Sequence, residues 1–340
     1  MKKTVLLFGG SSGERLVSVA SAQNLVENFN FDEIAFLDQL GSLYLVSKPE
    51  LLAHANPFLK EFATSSQPMT TSLLNALDFF KSKTIFLAFH GTEGEDGKIQ
   101  KIFEDHKINF TASGSLASQN AFNKKDSKKI VAAANIQITD ELCFTQKDIV
   151  VQKSKIVNFL NTHRKIVLKP IANGSSIGIY IVDQIDALET ALQKISTSNL
   201  GEYIAEKFIE GRELTVGVYE SAKGLIALPP SEVILNAGRS FDYEGKYLGQ
   251  GATEVTPAQL SASEIQDVQA MALQSHSALN CYGYSRTDLI LTKDGPIYLE
   301  TNTLPGLSRP SFLPQQLNVA DIKFSDFIQR QLELAEKRYF

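Results

Sequence analysis

The segment SRTDLILTKDGPIYLETNTLPG, residues 285–306, contains two apolar runs separated by a Lys-Asp-Gly turn, and this pattern predicts a β-hairpin. Asp288 lies in the first run, and Glu300 and Asn302 lie in the second. The tight turn can bring the two carboxylates to one face, and the two-residue strand period puts Asn302 on the same face as Glu300. Two carboxylates and an amide oxygen suit Mg²⁺. A polar strand pair that simply faces solvent would show the same pattern.

Two further segments have features of a nucleotide site. In KPIANGSSIG, residues 169–178, Lys169 is followed by a small, glycine-rich turn that can offer one cation and several backbone amides to phosphate oxygens. It is not a Walker A loop, because no Gly-Lys-Ser/Thr follows, and a tight hairpin turn is the alternative. In EKFIEGRE, residues 206–213, the backbone could contact an adenine edge while a carboxylate binds ribose hydroxyls; a charged connector is the alternative.

The amino-terminal third predicts an α/β unit. A buried strand at residues 5–8 leads into GGSSGER, residues 9–15, and a helix is predicted over 17–29. A second strand, 84–89, ends in HGTEGEDGKIQ, residues 90–100, at the sheet edge where ligands bind in open α/β sheets. Phe8 occupies the first glycine position of a dinucleotide fingerprint, so that motif fails. His90 could be a substrate contact, an acid or base, or a loop-packing residue.

Composition limits the function classes. The 340 residues can form two or three packed subdomains with a cleft between them. A net charge of -5 without a basic tail argues against nucleic acid and anionic membranes as partners. The first apolar run is too short for a signal peptide, and no window approaches a transmembrane length. Cys143 and Cys281 show no paired spacing. We therefore expect a soluble, cytoplasmic protein.

Taken together over residues 5–333, these segments resemble the D-alanine–D-alanine ligase family of the ATP-grasp superfamily. FDYEGKY, residues 241–247, also falls at family-like spacing, on a polar stretch, 238–253, that we expect to be a mobile loop. The resemblance implies an α/β (α+β) fold class, an ATP-grasp fold with an N-terminal open parallel-sheet domain. The expected divisions are an N-terminal substrate domain at 1–114, a central ATP-grasp subdomain at 115–213 and a C-terminal catalytic subdomain at 214–340.

The resemblance also implies the activity and its cofactors. Two D-alanine molecules would be joined through D-alanyl phosphate for peptidoglycan synthesis, with ATP and two Mg²⁺ ions, or Mn²⁺, in a cytoplasmic homodimer. Asp288, Glu300 and Asn302 match the metal ligands. The two implied phosphate-contacting lysines are Lys124 and Lys169. The other implied nucleotide-binding residues are Glu206, Lys207, Phe208, Ile209 and Glu213, together with Lys246 on the loop.

For the amino acid substrates, the resemblance implies that Glu14 holds the first ammonium group and forms a triad with Ser175 and Tyr247. The other implied catalytic positions are His90 near the first substrate, Arg286 with Gly306 at the oxyanion, and Ser311 at the second carboxylate.

The chain also departs from the family pattern. Thr287 and Thr301 replace apolar residues, and residues 309, 310 and 312, around Ser311, differ from many members. The alternatives are a ligase for another pair, such as D-alanine and D-serine, and a nucleotide-binding regulator without catalysis.

Overall fold

The computed structural model describes residues 2–172, 178–235 and 252–339. In this part of the chain, the first sheet contains β1 (Lys3–Gly9), β2 (Glu33–Leu37), β3 (Leu43–Leu45), β4 (Lys83–Ala88) and β5 (Asn109–Phe110). Its order is β3-β2-β1-β4-β5, and β1 pairs in parallel with β2 and β4. The predicted parallel sheet is confirmed for these strands and β5, but β3 is antiparallel to β2. The short turn between β2 and β3, where Asp38 accepts from the amides of Leu40 and Ser42, allows only that direction.

Helices and turns connect the strands of this sheet. The predicted first helix is confirmed as α1 (Arg15–Asn28). It is followed by α2 (Lys48–Ala53), a 3₁₀ helix (Leu73–Ala76), α3 (Leu77–Phe80) and α4 (Lys98–Asp105). Because β1 and β4 are parallel, the loop after β1 and the loop after β4 emerge at the same edge of the sheet.

A pair of helices, α5 (Ser115–Phe122) and α6 (Lys124–Ala133), leads to the second sheet. The Asn123 side chain caps α6 by accepting from the amides of Lys125 and Asp126. The sheet is antiparallel in the order β6-β9-β7-β8. Its elements are β6 (Glu141–Thr145), a 3₁₀ helix (Gln146–Asp148), α7 (Ile149–His163), β7 (Ile166–Pro170), β8 (Tyr180–Val182), α8 (Ile185–Thr197) and β9 (Glu202–Lys207).

The third sheet contains the predicted hairpin. The described elements are β10 (Arg212–Ser221), β11 (Gly224–Ala227), β12 (Ser231–Leu235), β13 (Ala252–Val255), α9 (Ala262–Ala278), β14 (Tyr284–Thr292), β15 (Gly295–Asn302), α10 (Phe312–Val319) and α11 (Phe324–Glu336). The strand order is β13-β12-β10-β14-β15, with β11 paired to β10. The loop predicted over 238–253 was too long at its end, because Thr253 pairs with Ile234 within the sheet.

The hydrophobic cores join segments that are distant in sequence. Phe327 and Ile328 of α11 belong to the core of the first sheet, so the end of the chain packs against its beginning. Val131 of α6 belongs to the core of the third sheet, together with Leu289 and Tyr298 of the hairpin. Within the described ranges, no helix has the length and apolar character needed to cross a membrane.

Candidate active site

The β14–β15 hairpin brings the three predicted metal ligands together. Asp288 is the cross-strand partner of Glu300, and a register irregularity follows Asp288. The Asn302 Nδ2 donates to Asp288 Oδ2 at 3.3 Å. The predicted hairpin and the shared face of its polar side chains are confirmed. The two carboxylates and the amide therefore lie next to each other on one surface.

Cationic side chains hold both carboxylates of this group. The guanidinium of Arg286 donates to both oxygens of Asp288, each at 2.8 Å, and Thr215 Oγ1 donates to Asp288 Oδ1 at 2.5 Å. Glu300 Oε2 lies 3.0 Å from Lys124 Nζ. The oxygen donors fit a hard divalent cation, which would compete with these cationic partners. No group of three or more His, Cys, Asp or Glu side chains suited to a metal occurs in residues 2–172, 178–235 and 252–339.

A second charged cluster centres on Glu206, which is almost completely buried. One carboxylate oxygen lies 2.6 Å from Lys169 Nζ, and the other is bonded to the ammonium of Lys128. Burial alone would raise the pKa of Glu206, but Lys169 and Lys128 outweigh it and lower that pKa. Burial would likewise lower the pKa of Lys169, but Glu206 and Glu300 raise it. Both members of the Lys169–Glu206 pair are thus charged.

Lys128 was not predicted from the sequence. Its side chain is completely buried, and its ammonium also lies 3.7 Å from Glu141 Oε2. It follows Lys124 by four residues on α6, so both lysines lie on the same helix face. The four-residue spacing from Lys124 was the one feature of the sequence that could have indicated Lys128 as a site residue. The lysine-rich helix was recognised, but no pattern indicated that this particular lysine faces a buried carboxylate.

A cleft contains Lys124 together with Glu300 and Asn302 of the hairpin. It is lined by Glu95, Ala121, Phe122, Lys124, Glu300, Thr301, Asn302 and Thr303. The loop after β4, the helix pair and the end of the hairpin therefore contribute to one site. This arrangement places a phosphate-binding candidate, Lys124, directly beside a metal-binding candidate, Glu300.

Glu95, another residue missed as a site candidate, lies in the HGTEGEDG segment. The amide of Gly91 donates to Glu95 Oε1 at 3.0 Å. Burial, and then the nearby carboxylate of Glu14, raise the pKa of Glu95 to about 8. Glu14 lies just before α1. A Cβ atom added to Gly91 would lie 3.0 Å from Glu14 Oε2, so the backbone of Gly91 is close to the Glu14 carboxylate. The loops after β1 and β4 therefore meet at these carboxylates.

His90 is buried at the end of β4, and protein groups engage both of its ring nitrogens. Nδ1 is 3.0 Å from the carbonyl oxygen of Leu304, and Nε2 is 2.9 Å from Ser21 Oγ. Burial lowers the pKa of His90 to about 4. Of the three sequence interpretations, loop packing describes these contacts; a direct role at the first substrate stays a prediction.

Gly306 and Ser311 are in contact after the hairpin. A Cβ added to Gly306 would lie 2.6 Å from Ser311 Oγ, so only glycine fits without a shift. Ser311 Oγ is hydrogen-bonded to Ser308 Oγ at 2.7 Å. The backbone between the predicted oxyanion donor and the predicted second-substrate contact is thus tightly packed.

The predicted adenine segment connects the second and third sheets. The amide of Lys207 donates to the Asp140 carbonyl at 3.1 Å, and the amide of Phe208 donates to the Lys165 carbonyl at 3.0 Å. These two amides are therefore used within the protein. Ile209 follows, and Glu213 lies in β10 opposite Ile290. Ser175, Lys246 and Tyr247, with the predicted Glu14–Ser175 hydrogen bond, lie outside the described residues.

Family models match nearly the whole chain. The model for the D-ala D-ala ligase N-terminus matches residues 3–113, and the model for the C-terminus matches residues 130–333. The chain belongs to the D-alanine–D-alanine ligase family. A relative named D-alanine–D-alanine ligase, from Leptospira interrogans, is 32% identical over 358 residues and covers 99% of both chains. The family predicted from the sequence motifs is confirmed.

Solved structures confirm the predicted ATP-grasp fold that D-alanine–D-alanine ligases share. The VanG D-Ala:D-Ser ligase from Enterococcus faecalis has a TM-score of 0.81 and 27% identity, covering 98% of this chain and 99% of that one. A D-alanine–D-alanine ligase from Bacillus anthracis, solved with ATP, has a TM-score of 0.73 and 24% identity, covering 99% and 98%. The second likeness concerns the fold alone.

Proposed function

We propose that this chain uses ATP to join two D-alanine molecules, giving D-alanyl-D-alanine, ADP and phosphate. The single observation that carries the proposal is the cleft where Lys124 and Glu300 meet at 3.0 Å, beside Asp288 and Asn302. Lysines and hard oxygen ligands at one position suit a metal-bound triphosphate. Family membership, with relatives named for this reaction, supports the choice of substrates.

The first half-reaction activates a carboxylate, which is a poor acyl donor. A carboxylate oxygen of D-alanine attacks the γ-phosphorus, the bond from phosphorus to the β-γ bridging oxygen breaks, and ADP leaves with that oxygen. Lys124 and Lys169 would hold the phosphates, and Glu14 would bind the ammonium of this D-alanine. Asp288, Glu300 and Asn302 would hold two Mg²⁺ ions, or Mn²⁺, which would neutralise charge on the phosphoryl group. Glu206, Lys207, Phe208, Ile209 and Glu213 would surround the adenine and ribose.

The second half-reaction forms the peptide bond. The amine of the second D-alanine attacks the acyl carbon, phosphate leaves with the C–O bond electrons, and the amine loses a proton. Arg286 and the Gly306 amide would stabilise the tetrahedral oxyanion, and Ser311 would bind the second carboxylate. Ser175, Lys246 and Tyr247 would close over the acyl phosphate, which hydrolyses if water enters.

The test is ADP release and dipeptide formation by the purified chain with D-alanine, ATP and Mg²⁺. Glu300→Gln should abolish turnover, because it removes a proposed metal ligand. Asp294→Asn, in the exposed turn of the same hairpin, should leave turnover unchanged. Near-normal activity in Glu300→Gln would refute the metal assignment, and nucleotide binding without dipeptide formation in the native chain would favour a regulator.

A second candidate function is the joining of D-alanine to D-serine. The likeness to the VanG D-Ala:D-Ser ligase supports it. Competing D-alanine and D-serine as the second substrate decides between the two pairs. Preferential formation of D-alanyl-D-serine would overturn the D-alanine assignment while leaving the ligase chemistry intact.

We extend the proposal to the setting of the enzyme. The product would be used for peptidoglycan synthesis in the cytoplasm, and the chain would form a homodimer. Each subunit would contain three domains, at residues 1–114, 115–213 and 214–340. Sedimentation of the purified chain tests the dimer. Limited proteolysis tests the boundaries, and cleavage confined to other sites would contradict them.

A further inference from the structure

A chain of hydrogen bonds connects helix α1 to the segment that follows the catalytic hairpin. The amide of Leu307 donates to Ser21 Oγ at 3.2 Å, Ser21 Oγ is 2.9 Å from His90 Nε2, and His90 Nδ1 is 3.0 Å from the Leu304 carbonyl. We call these four groups the histidine relay. Ser21 is completely buried and His90 is 4% exposed, so water does not compete for them.

The chemistry of the two ends fixes the direction of the relay. A carbonyl oxygen can only accept, so His90 carries a hydrogen on Nδ1. The neutral ring then accepts at Nε2, where the Ser21 hydroxyl donates. The hydroxyl oxygen in turn accepts from the Leu307 amide. Every donor in the relay has one acceptor, and the lowered pKa of His90 agrees with a neutral ring.

The relay clamps both ends of a four-residue segment. It binds the carbonyl of Leu304 and the amide of Leu307, and only Pro305 and Gly306 lie between them. Asn24 Nδ2, also on α1, donates to the carbonyl of Leu307 at 2.7 Å. The proline ring fixes its own φ angle, so few torsions remain to orient the amide of Gly306.

We propose that Ser21 and His90 are positioning residues that set the direction of the Gly306 amide for the developing oxyanion. This inference rests on the proposed ligase function, because that function gives the amide its role. It assigns a role to Ser21, and it makes the buried His90 act through the backbone of residues 304–307 and not through contact with substrate.

The first test reads the relay directly and requires no activity. The chain has 5 histidines, and ¹⁵N NMR of histidine-labelled protein at pH 7.5 distinguishes their tautomers. His90→Gln identifies the His90 signal by its loss. We expect a proton on Nδ1 and none on Nε2, with a shifted Nε2 signal in Ser21→Ala. An Nε2-protonated or doubly protonated ring would overturn the proposal.

The second test is kinetic and has a matched control on the same helix. Ser18 is also completely buried, accepting from the Gly9 amide at 2.7 Å and donating to the Ala88 carbonyl at 2.6 Å. Complete loss of an oxyanion donor costs about a hundred- to a thousandfold in kcat, so misorientation in Ser21→Ala should cost about ten- to a hundredfold. The KM for ATP should change by less than about twofold in Ser21→Ala, because none of the four relay groups belongs to a residue proposed to contact the nucleotide. Ser18→Ala should retain native kcat.

Urea unfolding of both variants establishes that their folded populations are comparable. Unchanged kcat in Ser21→Ala, or an equal loss in Ser18→Ala, would overturn the positioning role. If the native chain forms no dipeptide, the proposed function fails, while the NMR result still decides whether the relay exists.

Discussion

At the scale of single residues, a threonine pair accounts for two departures from the family pattern. Thr287 and Thr301 are directly opposed on β14 and β15, both are buried, and their Oγ1 atoms are 3.1 Å apart. They lie on the face opposite to Asp288 and Glu300, because successive strand residues alternate. Each hydroxyl therefore supplies a partner for the other.

This pairing predicts strong non-additivity. Thr287→Val or Thr301→Val alone leaves one buried hydroxyl without its cross-strand partner and should lower the unfolding free energy by about 1–3 kcal/mol. The double valine variant should lose less than the sum, because both polar groups disappear. Urea unfolding of the four proteins gives the coupling. Additive losses would show that the hydroxyls do not depend on each other.

His276 predicts how stability responds to acid. It is 1% exposed, its Nδ1 is 2.7 Å from Ser285 Oγ, and burial lowers its pKa to about 4. A lowered histidine pKa means that stability is fully present above the unfolded pKa near 6.5 and is lost as pH falls toward 4. Between pH 7.5 and pH 5 the unfolding free energy should therefore fall by about 2 kcal/mol on account of His276.

Urea unfolding at both pH values checks this prediction. His276→Gln should reduce the pH-dependent loss by that amount, whereas His106→Gln, at an exposed position, should not change it. An identical pH dependence in native protein and His276→Gln would mean that His276 does not titrate differently on unfolding.

At the scale of elements, helix α6 places the buried ammonium of Lys128 against Glu206. Lys128→Met should leave Glu206 with Lys169 as its remaining cationic partner and should lower the unfolding free energy by about 3 kcal/mol. The KM for ATP should rise, because Glu206 would then hold Lys169 more tightly. Lys129→Met, one residue away and exposed, is the control. Native stability and ATP KM in Lys128→Met would contradict this role.

Local patterns predicted the elements but not their long-range contacts. Residues 285–306 have apolar runs and a turn signal, so the hairpin and its polar face followed from strand periodicity alone. Strand β1 and helix α1 were likewise visible as a buried run and a helical spacing. Lys128 and Ser21 could not be found in this way, because their partners lie far away in the sequence. The roles of the site residues came from family motifs and stay predictions.

At the scale of the whole molecule, Arg338 near the end of the chain contacts residues next to both the first and the third sheet. Arg338 donates to the carbonyls of Phe110 and Ala112, and its guanidinium lies 3.9 Å from the Phe110 ring centroid and 4.9 Å from that of Tyr282. Tyr282 itself donates from its backbone amide to Ser113 Oγ at 3.0 Å. These contacts join the segment that follows β5 to the segment that precedes β14.

Removing this connection should weaken the whole fold. Arg338→Ala deletes charge-assisted hydrogen bonds to buried carbonyls and should lower the unfolding free energy by about 2 kcal/mol. Lys337→Ala, at the neighbouring exposed position, should change it by less than about 0.5 kcal/mol. Urea denaturation followed by circular dichroism measures both. Equal stabilities of the two variants would exclude a fastening role for Arg338.

The carboxylates that hold Lys124 and Lys169 have a consequence for ligand entry. Glu300 and Glu206 already form ion pairs with these ammonium groups. An incoming triphosphate would therefore have to displace these carboxylates from the lysines. Under the proposed function, nucleotide binding at this cleft would be an exchange of anions around the lysines, and Glu300 would become available to hold a divalent ion. In such an exchange each ammonium group would keep an anionic partner before and after binding, which would avoid the cost of an isolated buried ion.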